Sequence, residues 1–269
     1  MEYTNCIICN SSDNVLFKEF SNNKFILVKC KCDLVYLNPR PDTNEITEYY
    51  NDDYSPHKMH GGFMSNIFKK ISFNWKYNII KKLLKVKGKH LDVGAGNSNF
   101  CTFLNSKGWK SSSYDKYCNS DIVDLESIKK NSLDLITMWH SIEHIHEIND
   151  ILITLRSKLK KNGYLMIACP NIAAYDRNLF MNNWIAYDIP RHLYHFNVIT
   201  LSRFMNNCNY SVERNIPMIQ DTFFNIYLSF DNLISKVFLF IPYILISLTK
   251  MLIFKNITSS YLYICRKNI

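Results

Sequence analysis

The stretch Leu91-Asp92-Val93-Gly94-Ala95-Gly96-Asn97-Ser98-Asn99-Phe100 constrains the fold of this chain more than any other segment. It reads as the end of a buried strand, a glycine turn, and a helix opening at Asn99-Phe100-Cys101-Thr102-Phe103-Leu104. Gly94 and Gly96 permit a sharp bend and let a ligand approach the main chain where a Cβ would intrude. The free N–H groups of a helix start suit an anionic group. A tight strand-to-helix turn that holds no ligand is the alternative.

The spacing is G-x-G-x-x-N, with Asn99 where a dinucleotide fingerprint has its third glycine, and such a turn suits either a dinucleotide or S-adenosylmethionine. After it, strands and helices alternate. Trp109 to Tyr114 reads as a strand closed by Asp115, and an acid there can accept hydrogen bonds from both hydroxyls of an adenosine ribose. A plain turn Asp is the other reading. Asp121-Ile122-Val123-Asp124 follows so closely that the second crossover helix is missing or reduced, and Asp124 is placed toward the adenine edge. Ser132 to His140 reads as a strand, Ile148 to Leu159 as a helix stopped by Asn162-Gly163, and Tyr164 to Ala168 as a buried strand broken at Pro170-Asn171. This pattern predicts an α/β fold, Rossmann-like and doubly wound. Its sheet is mostly parallel with an antiparallel last strand at Ser260 to Arg266, and ligands bind at the strands' C-terminal ends.

The first fifth of the chain is different. Cys6-Ile7-Ile8-Cys9 is a C-x2-C knuckle, and Cys30-Lys31-Cys32 follows the strand-like run from Lys24 to Val28. Four thiolates on two knuckles predict a closed structural zinc site, which could hold together a segment too small for its own core. The second pair is C-x-C, one residue shorter, and a degenerate ribbon that folds by packing on its neighbour is the alternative. Leu34 to Arg40 reads as a strand stopped by a Pro-x-Pro turn, followed by a helix around Asn44 to Tyr50 capped by Thr43. Residues 55–66 read as a flexible connection. A helix from about Ile67 to Lys85 carries Phe68, Ile71, Trp75, Ile79 and Leu83 on one face. The expected organisation is a cysteine-knuckle segment over 1–42, a helical connection over the cleft at 43–88, and an α/β domain over 89–269 with an apolar helical insertion at about 223–256.

A hydrophobic content of 47% is that of a globular chain. The net charge of +9 permits contact with an anionic partner, but the lysines are scattered and form no dense tract, which argues against nucleic acid. The start carries no signal-peptide pattern, and nine cysteines, an odd number, point to free thiols in a reducing cytoplasm.

Several motifs together resemble the class I S-adenosylmethionine-dependent methyltransferases, in the bacterial branch with a cysteine-knuckle N-terminus. They are Cys6-x2-Cys9 with Cys32, Leu34-Val35-Tyr36-Leu37-Asn38-Pro39-Arg40-Pro41, the glycine turn, Leu133-Asp134-Leu135-Ile136, and Ile142-Glu143-His144. Leu159 to Leu165 leading to Pro170-Asn171, Trp184, and Asp188-Ile189-Pro190-Arg191-His192-Leu193 complete the set, which covers residues 6 to about 215. The resemblance implies that Gly94 and Gly96 contact the methionine part of the cofactor and Asp115 its ribose. It also implies that Asp92 supports the turn and the cofactor's ammonium. Two positions depart from the family pattern. Ser98 replaces the third glycine of D-x-G-x-G-x-G, which a negative φ would accommodate, and Asp33 stands where the family has glycine.

Methyl transfer from a sulfonium needs mainly alignment, and a hydroxyl acceptor gains from a base with a pKa near neutrality. The candidates are His140, Glu143 and His144 after the strand ending near Trp139, and Asp188, His192 and His195. His144 and His192 are chosen as catalytic, and His140 is placed with the cofactor pocket. For Glu143, a helix-start hydrogen bond that shapes the site is the alternative reading. From Phe223 to Phe254 the chain is strongly apolar, with an uncharged core from Val237 to Thr249. Thirteen residues fall short of the roughly 20 that span a bilayer. A single span would also strand the last β-segment on the wrong side. An interfacial helix, a lid over the acceptor and a simple hydrophobic cap remain as readings. The expected activity is methylation of a sugar, glycan or lipid-linked small molecule by a cytoplasmic protein with possible peripheral membrane contact. RNA methylation and a non-catalytic binding module are the alternatives.

Overall fold

The computed structural model describes residues 1–20, 24–50, 63–118, 120–122 and 124–268, with the side chains of 63–68 excepted. Of the connection expected at 55–66, residues 55–62 (with Ser55, Pro56, His57, Gly61 and Gly62) lie outside the described residues. Residues 63–66 already belong to a helix.

Two sheets build the molecule. The smaller is antiparallel: β1 (Asn14–Glu19), β2 (Ile26–Cys30) and β3 (Val35–Leu37) come from the first fifth, and β8 (Tyr194–His195) from far down the chain. β3 pairs β8 through Val35 opposite His195 and Tyr36 opposite Tyr194. The larger sheet has the order β5 (Lys110–Tyr114), β4 (Lys89–Val93), β6 (Leu133–Trp139), β7 (Leu159–Pro170), β10 (Ser260–Lys267), β9 (Tyr210–Pro217). β5, β4, β6 and β7 are mutually parallel, and β10 runs antiparallel between β7 and β9. This is the sheet expected from the alternation, antiparallel last strand included. Beyond β5 the only further pairing among the described residues is a single parallel bridge, Tyr114 to Ile122. Among the described residues no helix lies between β5 and Ile122, as the short spacing to Asp121 implies, and a 3-10 turn at Leu125–Ser127 follows the bridge.

Side chains alternate across the sheet with the two-residue period of a strand. Leu165, Ile167 and Cys169 of β7 and Tyr261, Tyr263 and Cys265 of β10 join one core, which also takes in Cys6, Phe25, Leu27 and Leu34 of the knuckle segment. Tyr164, Met166 and Ala168, with Leu262 and Ile264, face a second core under α1 (Phe63–Leu83) and α2 (Asn99–Ser106). The knuckle segment therefore shares its core with the central sheet.

Local readings are corrected in four places. The turn after Pro41 is a 3-10 helix, Glu45–Tyr49, and Asp42 rather than Thr43 caps it, its Oδ1 accepting from the N–H groups of Asn44 and Glu45. α1 starts earlier, and its inner face is broader than the stripe counted: Trp75, Ile79 and Leu83 pack on the core as expected, Phe73 and Ile80 join them, and Ile71 is 59% exposed. Asn162-Gly163 does not end α3 (Ile148–Lys158); β7 begins at once, and the pair sits in an irregularity where Leu133 aligns with Leu159 but Leu135 with Tyr164. Gly163 is needed there because a Cβ would lie 2.8 Å from Leu159 Cδ1 and 3.0 Å from the Leu133 carbonyl oxygen. The apolar core from Val237 to Thr249 lies within a continuous helix, α7 (Leu233–Ile253), of 21 residues. It is preceded by α4 (Tyr175–Phe180), α5 (Val198–Asn207) and α6 (Ile219–Leu228). By length and composition α7 could cross a membrane, with a mean hydropathy of 1.8 and 6% of that window buried.

Candidate active site

The C-terminal ends of β4, β5 and β6 meet at the glycine turn. Gly94 has φ 72°, and a Cβ there would lie 2.3 Å from Ser141 Cβ, whose hydroxyl donates to the Val93 carbonyl at 2.9 Å. Only glycine fits. Gly96 has φ 51°, but among the described residues nothing lies within 4 Å of the Cβ it lacks. Its bareness serves open space, which is the cradle a bound cofactor would fill. The Gly96 N–H donates to Asp115 Oδ2 at 2.8 Å, while Asp115 Oδ1 accepts from the N–H groups of Tyr117 and Cys118. The carboxylate thus fastens the turn to the end of β5, and its remaining lone pairs suit two hydroxyls. Asp124 lies exposed and caps the Leu125–Ser127 turn, accepting from Glu126 N–H at 2.9 Å.

Ser98 does not have the negative φ that would accommodate it. It sits at φ 53°, in the left-handed region, and makes no capping bond from its side chain. A non-glycine residue there costs roughly 1–2 kcal/mol. Ser98→Gly removes that strain and adds backbone entropy to the unfolded chain, so a net gain of about 0.5 kcal/mol is expected. A denaturant midpoint that does not rise would show that Ser98 repays its strain elsewhere.

Asp92 is 3% exposed beneath the turn, accepting from Thr137 Oγ1 at 2.5 Å. Thr137 Oγ1 in turn lies 2.8 Å from His90 Nε2, and His90 Nδ1 lies 2.7 Å from Ser111 Oγ. With the threonine proton given to Asp92, its oxygen accepts from His90 Nε2–H, and Ser111 donates to Nδ1. Burial holds His90 neutral, its pKa lowered to about 3. Burial likewise raises the Asp92 pKa from 3.8 to about 7, against the opposing pull of Thr137 and Lys76. Between these two values the native state keeps a proton that the unfolded chain has lost, so stability falls as pH rises from about 4 to 7. Asp92→Asn removes this penalty. Its unfolding free energy is expected to match the parent's near pH 4 and to exceed it at pH 8, by about 4 kcal/mol at most. A gap that does not grow with pH in urea titrations would refute the assignment.

Lys76 is a site residue that the sequence did not disclose. It projects from α1 with its ammonium 4.1 Å from the centre of the Trp139 ring, within the field of Asp92 and Asp221. Burial lowers its pKa to about 8 despite those two acids. The Phe73-x2-Lys76-x3-Ile80 spacing is the signal that puts it on the inner stripe.

The second half of the site lies past β6. His140 has φ 51°, and its Nε2 pairs with Asp221 Oδ2 at 3.0 Å while Nδ1 stands 3.7 Å from Glu143 Oε1. Burial opposes charging His140, but Asp221 and Glu143 outweigh it and raise its pKa to about 10. Asp221 belongs to the first turn of α6, just ahead of the apolar stretch that begins at Phe223, and no motif pointed to it. Glu143 is 1% exposed and neither carboxylate oxygen has a hydrogen-bond partner. Burial pushes its pKa up, yet the surrounding imidazoles hold it down at about 2. Its nearest nitrogens are His140 Nδ1 at 3.7 Å and His192 Nε2 at 3.9 Å, both beyond hydrogen-bonding reach. The helix-start bond considered for the Glu143 side chain is not formed; its backbone carbonyl instead accepts from Leu193 N–H.

His144 and His192 come together, with ring centres 4.6 Å apart. His144 Nδ1 contacts the Arg191 carbonyl at 3.1 Å and the Tyr50 hydroxyl at 3.0 Å. His192 Nδ1 contacts the Ala186 carbonyl at 2.9 Å. Burial first, then His192, lowers the His144 pKa to about 4. Arg191 Nε donates to Asp188 at 3.0 Å and its Nη1 to the Tyr49 carbonyl at 3.0 Å, which ties this loop to the start of the chain. His195 is buried on β8 behind His192, their ring centres 6.1 Å apart.

The four knuckle cysteines also converge. Cys6 Sγ and Cys32 Sγ are 3.4 Å apart, as are Cys9 and Cys30, and all four sulfurs lie within 4.8 Å of one another. A tetrahedral site with Zn–S bonds of about 2.3 Å sets its sulfurs about 3.8 Å apart. The short C-x-C knuckle closes like the long one. Asn10 and Asp33, each following a second cysteine, have φ 55° and 74° and donate back to the Cys6 and Cys30 carbonyls, both at 2.8 Å. Asp33 thus adopts the conformation for which glycine is the usual choice.

A family model described as "Methyltransferase domain" matches residues 63–215. No curated protein sequence matches the chain. Among solved structures, an S-adenosylmethionine-dependent methyltransferase from Archaeoglobus fulgidus is similar at 18% identity and TM-score 0.51, covering 78% of this chain and 96% of the other. The 1,6-didemethyltoxoflavin-N1-methyltransferase of Burkholderia thailandensis is similar at 10% identity and TM-score 0.52, covering 93% and 99%. At these identities the structural likeness speaks for the fold.

Proposed function

The chain belongs to the methyltransferase domain family and is a class I S-adenosylmethionine-dependent methyltransferase, and on that premise we propose that it methylates a hydroxyl of a sugar, glycan or lipid-linked small molecule, with a lipid-linked acceptor favoured. One observation carries the choice: α6, which brings Asp221 to His140, also presents Phe223, Phe224 and Tyr227 to the outside and packs on α7. The outer face of α7 carries Ile234, Val237, Phe238, Ile241 and Leu245, each 59% exposed or more. An apolar surface of this extent on the wall of a reaction cleft is matched by an acyl or polyprenyl chain and by the boundary of a bilayer. β10 follows α7 and lies inside the sheet, which favours a helix lying in the interface over one crossing it. On this reading the protein works in the cytoplasm, peripheral to the inner face of the membrane.

The bound cofactor would supply an activated methyl group on sulfonium sulfur. Gly94 and Gly96 shape its seat, Asp92 faces its ammonium, Asp115 takes its ribose hydroxyls, Asp124 stands toward the adenine edge, and His140 closes the pocket at the end of β6. His144 and His192 act on the acceptor: its oxygen bonds to the methyl carbon as the carbon–sulfur bond breaks, and they ease loss of the hydroxyl proton. Cys6, Cys9, Cys30 and Cys32 hold a structural zinc ion that organises the knuckle.

The test combines calorimetric titration with S-adenosylhomocysteine, a methyl-transfer screen over nucleotide sugars and lipid-linked glycans, and flotation with anionic vesicles. Micromolar binding, transfer to a lipid-linked acceptor, and flotation lost in a Phe238→Glu, Ile241→Glu double variant are expected. Transfer only to soluble acceptors by a protein that never floats would refute the lipid-linked reading.

A further inference from the structure

Glu143 poses a question that methyl transfer alone does not answer. A carboxylate 1% exposed, with both oxygens lacking any hydrogen-bond partner, is an expensive arrangement unless something satisfies it. Ion-pair neighbours at 3.7 and 3.9 Å leave its lone pairs unused. A carboxylate oxygen of Glu143 and one ring nitrogen each of His144 and His192 all lie within 4.8 Å of one another.

From this geometry we propose that Glu143, His144 and His192 form a second metal site, distinct from the cysteine knuckle, that takes a divalent first-row transition ion of the zinc class. The hydrogen bonds around the two histidines have the form such a site requires. A carbonyl oxygen can only accept, so the contact to Ala186 needs a proton on His192 Nδ1, and a proton on His144 Nδ1 serves both the Arg191 carbonyl and the Tyr50 hydroxyl oxygen. That leaves Nε2 of each ring as its basic nitrogen, and His192 Nε2 is the atom that stands 3.9 Å from Glu143. Histidine ligands characteristically donate their other N–H to a carbonyl or carboxylate, which fixes ring and tautomer. Two imidazoles and one carboxylate suit zinc and its neighbours better than magnesium or calcium, and three protein ligands leave a position open. Asp188 Oδ2, 3.8 Å from His192 Nε2, is held by Arg191 and adds negative charge beside the site. Bonds of about 2.0–2.2 Å would draw the three ligand atoms closer than they now stand. The inference deepens the reading of His144 and His192 above and rests on it for their role: an ion held between them would be the Lewis acid facing the acceptor hydroxyl.

Cobalt(II) titration of the metal-stripped full chain separates the two sites, because thiolate ligation gives intense charge-transfer absorption and nitrogen–oxygen ligation only weak visible bands. Two equivalents per chain are expected, one of each kind. Glu143→Gln, close to isosteric, is expected to weaken the second equivalent by at least the ~10–100-fold that losing even an outer partner costs. His192→Asn should do the same. Both variants should keep the thiolate band and S-adenosylhomocysteine binding, which report that the fold is intact. A chain that binds one equivalent only, at sulfur, overturns the proposal, as does a second equivalent that survives both substitutions. Cobalt bound at the second site by a protein that fails to bind S-adenosylhomocysteine would leave the metal site standing and remove the methyltransferase role assigned to it.

Discussion

Gly96→Ala is expected to leave the fold nearly unchanged and to reduce S-adenosylhomocysteine affinity more than tenfold. The reason is the emptiness around this residue: a Cβ there would meet no atom of the described residues within 4 Å, so a methyl group is expected to offend an occupant of the cleft. The φ of 51° adds a conformational cost of roughly 1–2 kcal/mol, visible as a modest drop in melting temperature. Gly94→Ala is the contrasting case. Its Cβ would lie 2.3 Å from Ser141 Cβ, and its φ is 72°. Overpacking at 1–3 kcal/mol and left-handed strain together predict a loss of about 3 kcal/mol in stability, with cofactor binding lost alongside. Paired calorimetry and thermal melts distinguish the two. Should Gly96→Ala bind S-adenosylhomocysteine as tightly as the parent, the space beside the turn is not the cofactor's seat.

Removing metal from the knuckle is expected to have the largest effect on stability. The thiolates of Cys6 and Cys30 are buried in a core shared with Leu91, Ile136 and Leu165, so disorder in the knuckle opens the face of the central sheet. Structural zinc contributes an apparent ~10–16 kcal/mol in small peptide sites. Here β8 and the shared core retain part of that order, and a loss of about 5 kcal/mol corresponds to a melting temperature lower by about 10–20 °C. Cys9→Ser should reproduce most of the effect, since Cys9 is exposed and its replacement disturbs no packing. A melting temperature that neither chelator nor Cys9→Ser alters would mean that the ribbon folds by packing alone.

Both expectations trace back to features legible in the chain before any coordinates. The alternation of apolar strands and helices gives the parallel sheet, because each strand must bury both faces and each crossover must cover one. The glycine turn and Asp115 at the end of β5 follow from local backbone rules acting within a few residues, whereas Asp92 was singled out by the family resemblance. The cysteine pairs are local in the same sense. Local errors arose where neighbouring chain intervened. The helix cap passed from Thr43 to Asp42, Ile71 of α1 stayed outside while Phe73 packed inward, and Asn162-Gly163 became an irregularity in β7 once Leu133 and Leu159 paired.

The groups around His140 and Glu143 belong to another category. Asp221 reaches His140 across 81 residues of chain, Lys76 approaches Asp92 from a helix that reads as a plain packing element, and Tyr50 meets His144 from beyond the knuckle. No periodicity records such meetings, since they depend on how separately formed elements settle against one another. The sequence by itself determined the scaffold, the cofactor turn and the cysteine cluster, because short-range sterics and hydrophobic period decide them. Only the tertiary structure decided the charge state of His140 and the isolation of Glu143. Burial and the distances between remote charges set those quantities, and both exist only once the chain has packed.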